Sequence, residues 1–195
     1  MPPETLPGNT ETILVNQATP KPVKKVLIEE ALGWAKLALI AVALAFLLTR
    51  FIVVNAEIPS ASMEPTIMTN DRIIAFRLSY LFSAPERFDI VIFHPPHTDE
   101  RPYVKRIMGL PGDRIHIRNG YVFVNDSETP LRDDFAIGAY LRDYGPFFVP
   151  EGHFFMLGDN RSNSADSRIW RDPFVPQERF LGRAIFRYFR GFAML

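Results

Sequence analysis

Apolar residues fall into two regimes along this chain. Residues 1–25 are polar, dotted with proline and without an apolar period, the pattern of a disordered tail. Residues 26–35 mix apolar and acidic positions and begin a helix. Leu37 to Leu48 is then wholly apolar. Twelve helical residues span only ~18 Å, short of a hydrocarbon core of roughly 30 Å. Counting from Ala31 to Phe51 brings the length to about 30 Å, with Lys36 and Arg50 near the ends, where long side chains reach toward water. The pattern predicts one transmembrane helix over 31–51.

Beyond Phe51 the apolar runs become short and are cut by turn residues. Residues 72–76, 89–93, 114–117, 121–124, 153–157 and 182–189 read as strands. Arg118-Asn119-Gly120-Tyr121 is a hairpin signal, because Asn-Gly supplies the positive backbone angles of a tight primed turn. Pro111-Gly112-Asp113 is a second turn. No helical period of useful length follows the apolar segment. The fold class expected is all-β: antiparallel sheets in a barrel-like arrangement over residues 52–195, with a small β cap inserted at about 114–157. Phe147-Phe148 and the stretch from Trp170 to Phe174 read either as core or as a rim resting on lipid.

Two other readings of the apolar segment carry less weight. A buried core helix fits the twelve apolar residues by length, but Leu37–Leu48 has no polar face and the rest of the chain reads as strands. A cleaved leader would end at Val54-Asn55-Ala56, but the polar region before it is too long and Arg50 interrupts the approach. Lys21, Lys24, Lys25 and Lys36 precede Arg50, and the next basic residue is Arg72. The positive-inside rule therefore puts the amino terminus in the cytoplasm and residues 52–195 outside it, in a single-pass topology.

Composition narrows the chemistry. Twenty-two basic residues balance twenty-two acidic ones, so a nucleic-acid partner is not expected. No cysteine is present, which removes disulfides and thiolate catalysis. The 17 prolines argue against a helical bundle. Of four histidines, His94 and His97 flank Pro95-Pro96, while His116 and His153 sit in strand-like runs, and none belongs to a triad motif. No metal and no cofactor are called for.

Three blocks remain: Ile58-Pro59-Ser60-Ala61-Ser62-Met63-Glu64-Pro65-Thr66, Tyr103-Val104-Lys105-Arg106-Ile107-Met108-Gly109, and Gly158-Asp159-Asn160-Arg161-Ser162-Asn163-Ser164-Ala165-Asp166-Ser167-Arg168. In this order, behind an apolar anchor, they resemble the bacterial type I signal peptidases, membrane-anchored serine proteases that use lysine as the general base. Alone, Lys105 would read as an exposed strand lysine, Ser60 and Ser62 as turn chemistry, and the third block as a polar turn. The resemblance implies that Ser62 is the nucleophile and Lys105 a neutral base. It further implies that Ser60 and the Ser62 N–H form the oxyanion hole, and that Ser164 orients the lysine. Asp159 with Arg106, and Asp166 with Arg168, would be bracing ion pairs. Ile58, Met63, Ile67, Tyr103 and Val104 would wall pockets for the small residues of Ala-x-Ala sites in preproteins. Two positions depart from the family: Ser162 stands where an acidic residue is expected, and Phe88, in Arg87-Phe88-Asp89-Ile90-Val91, where glycine is usual.

The partners implied are preproteins and a lipid bilayer, with a monomer in the plasma (inner) membrane or an equivalent energy-converting membrane. Two rivals are a Ser/Lys self-cleaving repressor-type protease and a non-catalytic membrane-tethered β-domain. The anchor, and the lack of a basic helix-turn-helix pattern, oppose the first. The presence of both Ser62 and Lys105 opposes the second.

Overall fold

A computed structural model describes residues 23–96, 101–138, 142–189 and 191–195. The tail expected at 1–25 lies outside the described residues as far as residue 22, as do Lys21 and His97; residues 23–25 already belong to a helix. The chain divides into two compact units, Met1–Leu44 and Ala45–Leu195. Helix α1 spans Val23–Leu47 and passes into a π-helical turn at Leu48–Ile52. Leucine and alanine favour the helix, and no proline interrupts it. Its stretch long and apolar enough to cross a membrane is Leu27–Ile52, a few residues longer at the amino end than the span read from the sequence.

The second unit is built on antiparallel strands. In chain order they are β1 (Val53–Glu57), β2 (Arg72–Phe76), β3 (Ile90–Phe93), β4 (Tyr103–Gly109), β5 (Arg114–Arg118) and β6 (Tyr121–Val124), then β7 (Tyr144–Phe148), β8 (His153–Leu157), β9 (Phe174–Pro176), β10 (Phe180–Arg187) and β11 (Ala193–Met194). The large sheet runs β1-β2-β10-β3-β4-β8-β9, with β11 added to β10. It is an open path whose ends, β1 and β9, do not pair with each other. The small sheet runs β6-β5-β7. Asn119 and Gly120 take positive φ at the β5–β6 turn, where Arg118 pairs with Tyr121, as Asn-Gly predicted.

Every residue of β3 is buried, which fits its continuous apolar run, and the last five of β4 are buried as well, Lys105 and Arg106 among them. Strand β2, by contrast, alternates in burial. The cap ends earlier than expected. Strand β8 pairs with β4, so residues 153–157 belong to the large sheet and the insertion comprises β5–β7. Ile115, Ile117 and Val122 of the small sheet share one apolar cluster with Met108, Phe155 and Leu157 of the large one. Phe147 lies 4.7 Å from Phe155 with the rings tilted, Trp170 lies 6.1 Å from Phe93, and Phe174 lies 6.4 Å from Phe155. These aromatics are packed against the core, and within those two segments Phe148 alone is an exposed large apolar residue.

Gly109 is the tight point between the sheets. A Cβ there would meet Phe155 Cβ at 2.8 Å and Ile115 Cγ1 at 2.9 Å. Gly109→Ala should therefore lower stability by about 1–3 kcal/mol, as overpacking of a core does. Thermal unfolding of the two proteins checks this, and an unchanged midpoint would refute the close approach.

Candidate active site

Ser62 sits in a 3-10 turn, Ala61–Met63, entered from Ser60 in extended conformation. The serines are thus not two alternating residues of one strand, yet their hydroxyls lie 3.3 Å apart. The surrounding loop is tied to itself. Ile58 N donates to Asp71 O at 2.9 Å, Asn70 N to Ile58 O at 2.7 Å, and Ile67 N to Met63 O at 2.9 Å. Glu64 Oε1 accepts from the Thr69 hydroxyl at 2.8 Å and Met68 N donates to Asp71 Oδ2 at 2.8 Å. Ser62 is 7% exposed and held at a fixed place.

Lys105 lies in the middle of β4, opposite Val91 of β3. Its Nζ is 2.5 Å from Ser62 Oγ, bridging 43 positions of sequence. Only 4% of the lysine is exposed. Burial disfavours the ammonium and pushes its pKa from 10.5 down to about 8; Asp166 and Asp159 oppose the shift, and Arg168 assists it. At that value about a tenth of the lysines are neutral at pH 7, against well under a thousandth of free lysines.

Both acids that oppose the shift are themselves paired. Arg106, next to Lys105, holds Asp159 through Nε at 2.8 Å and Nη2 at 2.6 Å. Arg168 holds Asp166 through Nε at 2.7 Å and Nη2 at 2.8 Å. Gly158 N donates to Asp166 Oδ2 at 3.1 Å, and Asn160 N donates to the Ser62 carbonyl at 3.1 Å, so this third block closes over the serine. Gly158 is required here: a Cβ would collide with the Ser62 carbonyl oxygen and with Ser164 Oγ. Ser164 Oγ is buried but makes no hydrogen bond, to Lys105 or to any other described residue.

A cavity of about 590 Å³ opens beside Ser62 and Lys105. Ile58, Met63, Tyr103 and Val104, expected to wall substrate pockets, line it together with Ser60. Ile67 does not: it is fully buried in the apolar cluster that also holds Ile58 and Met63. Ala56, Pro59, Asn163 and Ala165 line the cavity and were not singled out. Thr66 was also missed, although its hydroxyl donates to Asp159 Oδ2 at 2.6 Å; its signal is its place in the Ser62 block. Phe135 was missed as well. It stacks under the Arg106 guanidinium, 3.9 Å from ring centre to Cζ, and no motif marks it. Phe88 adopts φ 75°, the left-handed region that favours glycine. Its carbonyl accepts from Arg106 Nη1 at 2.9 Å and its ring packs edge-on to Phe135, so a bulky side chain holds a glycine-like corner. Ser162 is exposed and bonds only locally, to Asn160 Oδ1 at 3.3 Å. Among the described residues no cluster of side chains could hold a metal ion.

Residues 31–189 match the family "Signal peptidase, peptidase S26". The probable signal peptidase I-2 of Synechocystis sp. is 41% identical over 153 residues, 76% of this chain and 68% of that protein. The signal peptidase I of Leptolyngbya laminosa is 38% identical, over 76% of this chain and 75% of its own. The thylakoidal processing peptidase 1 of Arabidopsis thaliana is 40% identical, over 79% of this chain and 47% of its own. A solved signal peptidase I from Enterococcus faecalis V583 is 31% identical, with a TM-score of 0.44, over 52% of this chain and 97% of that one. The chain belongs to the S26 signal peptidase family and is a serine endopeptidase of the signal peptidase I type.

The lysine's burial predicts a pH-dependent stability. Below about pH 8 both folded and unfolded chains carry the ammonium, and the folded chain bears the full cost of burying it. Between about 8 and 10.5 the folded chain has released the proton while the unfolded chain keeps it, so this contribution makes stability rise with pH. Lys105→Met, similar in size, should be more stable at pH 7 by on the order of 2–3 kcal/mol and should lack that rise. Denaturant unfolding from pH 7 to 10 measures both effects. A methionine variant with the wild-type pH slope would refute the perturbed lysine.

Proposed function

We propose that this chain is a membrane-anchored signal peptidase in which Ser62 attacks the scissile carbonyl and neutral Lys105 accepts its proton. The 2.5 Å separation of Nζ from Oγ, with the amine buried, is the observation that carries this reading. As Oγ bonds to the carbonyl carbon, its proton passes to the Lys105 amine and the carbonyl oxygen becomes an oxyanion. The Ser60 hydroxyl and the Ser62 backbone N–H would donate to that oxygen. The Lys105 ammonium then gives its proton to the leaving amine, so the C–N bond breaks and an acyl-serine remains. Water then attacks the acyl carbon, losing a proton to the Lys105 amine, and that proton passes to Oγ as the ester bond breaks, which frees the new carboxyl terminus and restores Ser62.

Substrates would be preproteins, bound extended in the cavity beside the serine. Ile58, Met63, Tyr103 and Val104 offer apolar walls to the small residues before the cut, and Ala165 adds to them. The carboxylates of Asp159 and Asp166 are engaged by arginines, which leaves desolvation as the dominant influence on Lys105. Ser164, whose buried hydroxyl has no partner among the described residues, would orient the amine during turnover.

The anchor is α1 with the turn after it. Its described side chains are exposed as far as Phe51, including Leu37, Leu39, Ile40, Val42 and Phe46, which water would solvate poorly and hydrocarbon well. Lys24, Lys25 and Lys36 before Arg50 support a cytoplasmic amino terminus and an extracytoplasmic unit from residue 52 on. The membrane would be the plasma membrane or an energy-converting equivalent, with one pass and a monomeric enzyme.

Ser62→Ala should abolish preprotein cleavage without loss of folding; near-wild-type turnover would end the assignment. Ser60→Ala should cost roughly 10²–10³ in rate, the usual effect of losing one oxyanion donor. Activity, read as kcat/KM, should climb with pH through about 8 as the ammonium deprotonates, and level off above it. Lys105→Arg should be inactive, because arginine keeps its proton in this range. An active arginine variant would exclude Lys105 as the base.

The topology is checked independently. Protease added outside sealed cells should digest residues after Arg50 and spare those before Lys36. Protection of the carboxy-terminal part would invert the orientation.

A further inference from the structure

Residues 131–138 follow β6 and cross the third block as a strap. Leu131 N donates to Val122 O at 2.7 Å, which ties the start of the strap to the small sheet. At its far end Ile137 N donates to Asp159 O at 2.8 Å, and Arg161 N donates to Ile137 O at 2.7 Å. These bonds make a parallel bridge between Ile137 and Asn160. Asp133 Oδ2 lies 2.6 Å from Arg161 Nη2, so a buried ion pair fixes the middle. Gly138 packs on Ser162 with no room for a Cβ. The strap is therefore held along its length by the block that carries Asp159 and Asp166.

One side chain of the strap reaches the groups around the lysine. The Phe135 ring lies 3.9 Å from the Arg106 Cζ. Phe88 backs that ring edge-on, with centroids 5.6 Å apart, and its carbonyl accepts from Arg106 Nη1 at 2.9 Å. Arg106 thus has an aromatic ring against its flat face, while its edges are taken by Asp159 and the Phe88 carbonyl. Neither Phe135 nor Phe88 lines the cavity beside Ser62, so neither is placed to touch a substrate there.

We propose that Phe135, backed by Phe88, is a positioning residue for the Ser62–Lys105 pair, acting through Arg106 to keep the Asp159 carboxylate engaged away from the lysine. This rests on reading Lys105 as the general base. The charged groups that face the lysine are Asp159, Asp166 and Arg168 of the third block. The Ser62 hydroxyl faces it from the loop 58–71, and the Tyr103 ring, 5.7 Å from Nζ, from its own strand. A guanidinium stacked on a ring is confined and shielded from water, and the attraction is stronger where water is excluded. Without the ring, Arg106 gains freedom and solvent, and Asp159 is less fully neutralised. Water entering the gap also hydrates the ammonium. Both changes favour the charged lysine, so they act in the same direction.

The test is the profile of kcat/KM from about pH 6 to 10, measured on the full chain in detergent micelles with a peptide that carries an Ala-x-Ala site. Phe135→Leu, apolar but without a ring face, should move the rising limb up by about half a unit, a drop of about threefold at pH 7, with KM and the alkaline plateau unchanged. Phe135→Tyr keeps the ring and should restore the wild-type limb. Phe88→Gly eases a backbone at φ 75° and removes only the backing ring. It should shift the limb the same way, and it decides the matter even where Phe135→Leu fails to fold. Phe148→Ala, which removes an exposed aromatic of the small sheet, should leave the profile unchanged. A limb that stays in place in both Phe135→Leu and Phe88→Gly, a loss equal at every pH, or an equal shift in Phe148→Ala overturns the proposal. A wild-type profile without a rising limb in this range overturns Lys105 as the base, and this proposal with it.

Discussion

The placement of a primary amine where water cannot hydrate it governs much of this structure. An isolated buried ammonium is strongly disfavoured, so Lys105 shifts toward its neutral form. That shift survives only if nearby acids do not restore the charge. Asp159 and Asp166 both favour the ammonium, and each is held bidentate by an arginine, Arg106 and Arg168. The two ion pairs thus do more than brace a wall: they limit the pull of two carboxylates on the lysine. Leaving either carboxylate without its arginine would move the lysine back toward its ordinary value.

Rigidity follows from the same need. A lysine has a long flexible stem, and a 2.5 Å contact with Ser62 requires both ends to be fixed. Strand β4 fixes one end by pairing on both sides, with β3 and β8. The loop 58–71 fixes the other through its own hydrogen bonds. The third block joins them, with Asn160 N on the Ser62 carbonyl and Asp159 on Arg106. Thr66 closes the circuit from the serine's loop to Asp159. Even the small sheet takes part, because Phe135, which follows β6, lies against Arg106.

Much of this was legible in the chain. The uninterrupted apolar stretch gave the helix, Asn-Gly gave the β5–β6 turn, and short apolar runs gave six strands to within a few residues. The serine, the lysine and both ion pairs were singled out only by the resemblance of the three motif blocks to a family, since each block alone reads as ordinary strand or turn chemistry. Strands β1, β7, β9 and the two-residue β11 were not recovered, and β4 was read only as the strand-like setting of Lys105. Strand β1 directly follows the apolar span, and its Val-Val-Asn-Ala-Glu reads as a cleavage site. Strand β7 contains Gly145-Pro146, tolerable because it is an edge strand pairing only with β5. Strand β9 has only three residues.

The sequence by itself determined which residue types the chemistry needs, their order, and which segments alternate or run apolar, since these depend on side-chain identity and local period. Tertiary structure alone decided what lies next to what. It set Ser60 and Ser62 together through a 3-10 turn rather than a strand, sent Ile67 behind the cavity into the core, and gave β8 to the large sheet. It also packed Phe147, Trp170 and Phe174 inside while turning Leu81 and Phe82 out. The depressed lysine pKa belongs to this second group. Burial is a property of the whole packed unit, and no window of residues around Lys105 contains it.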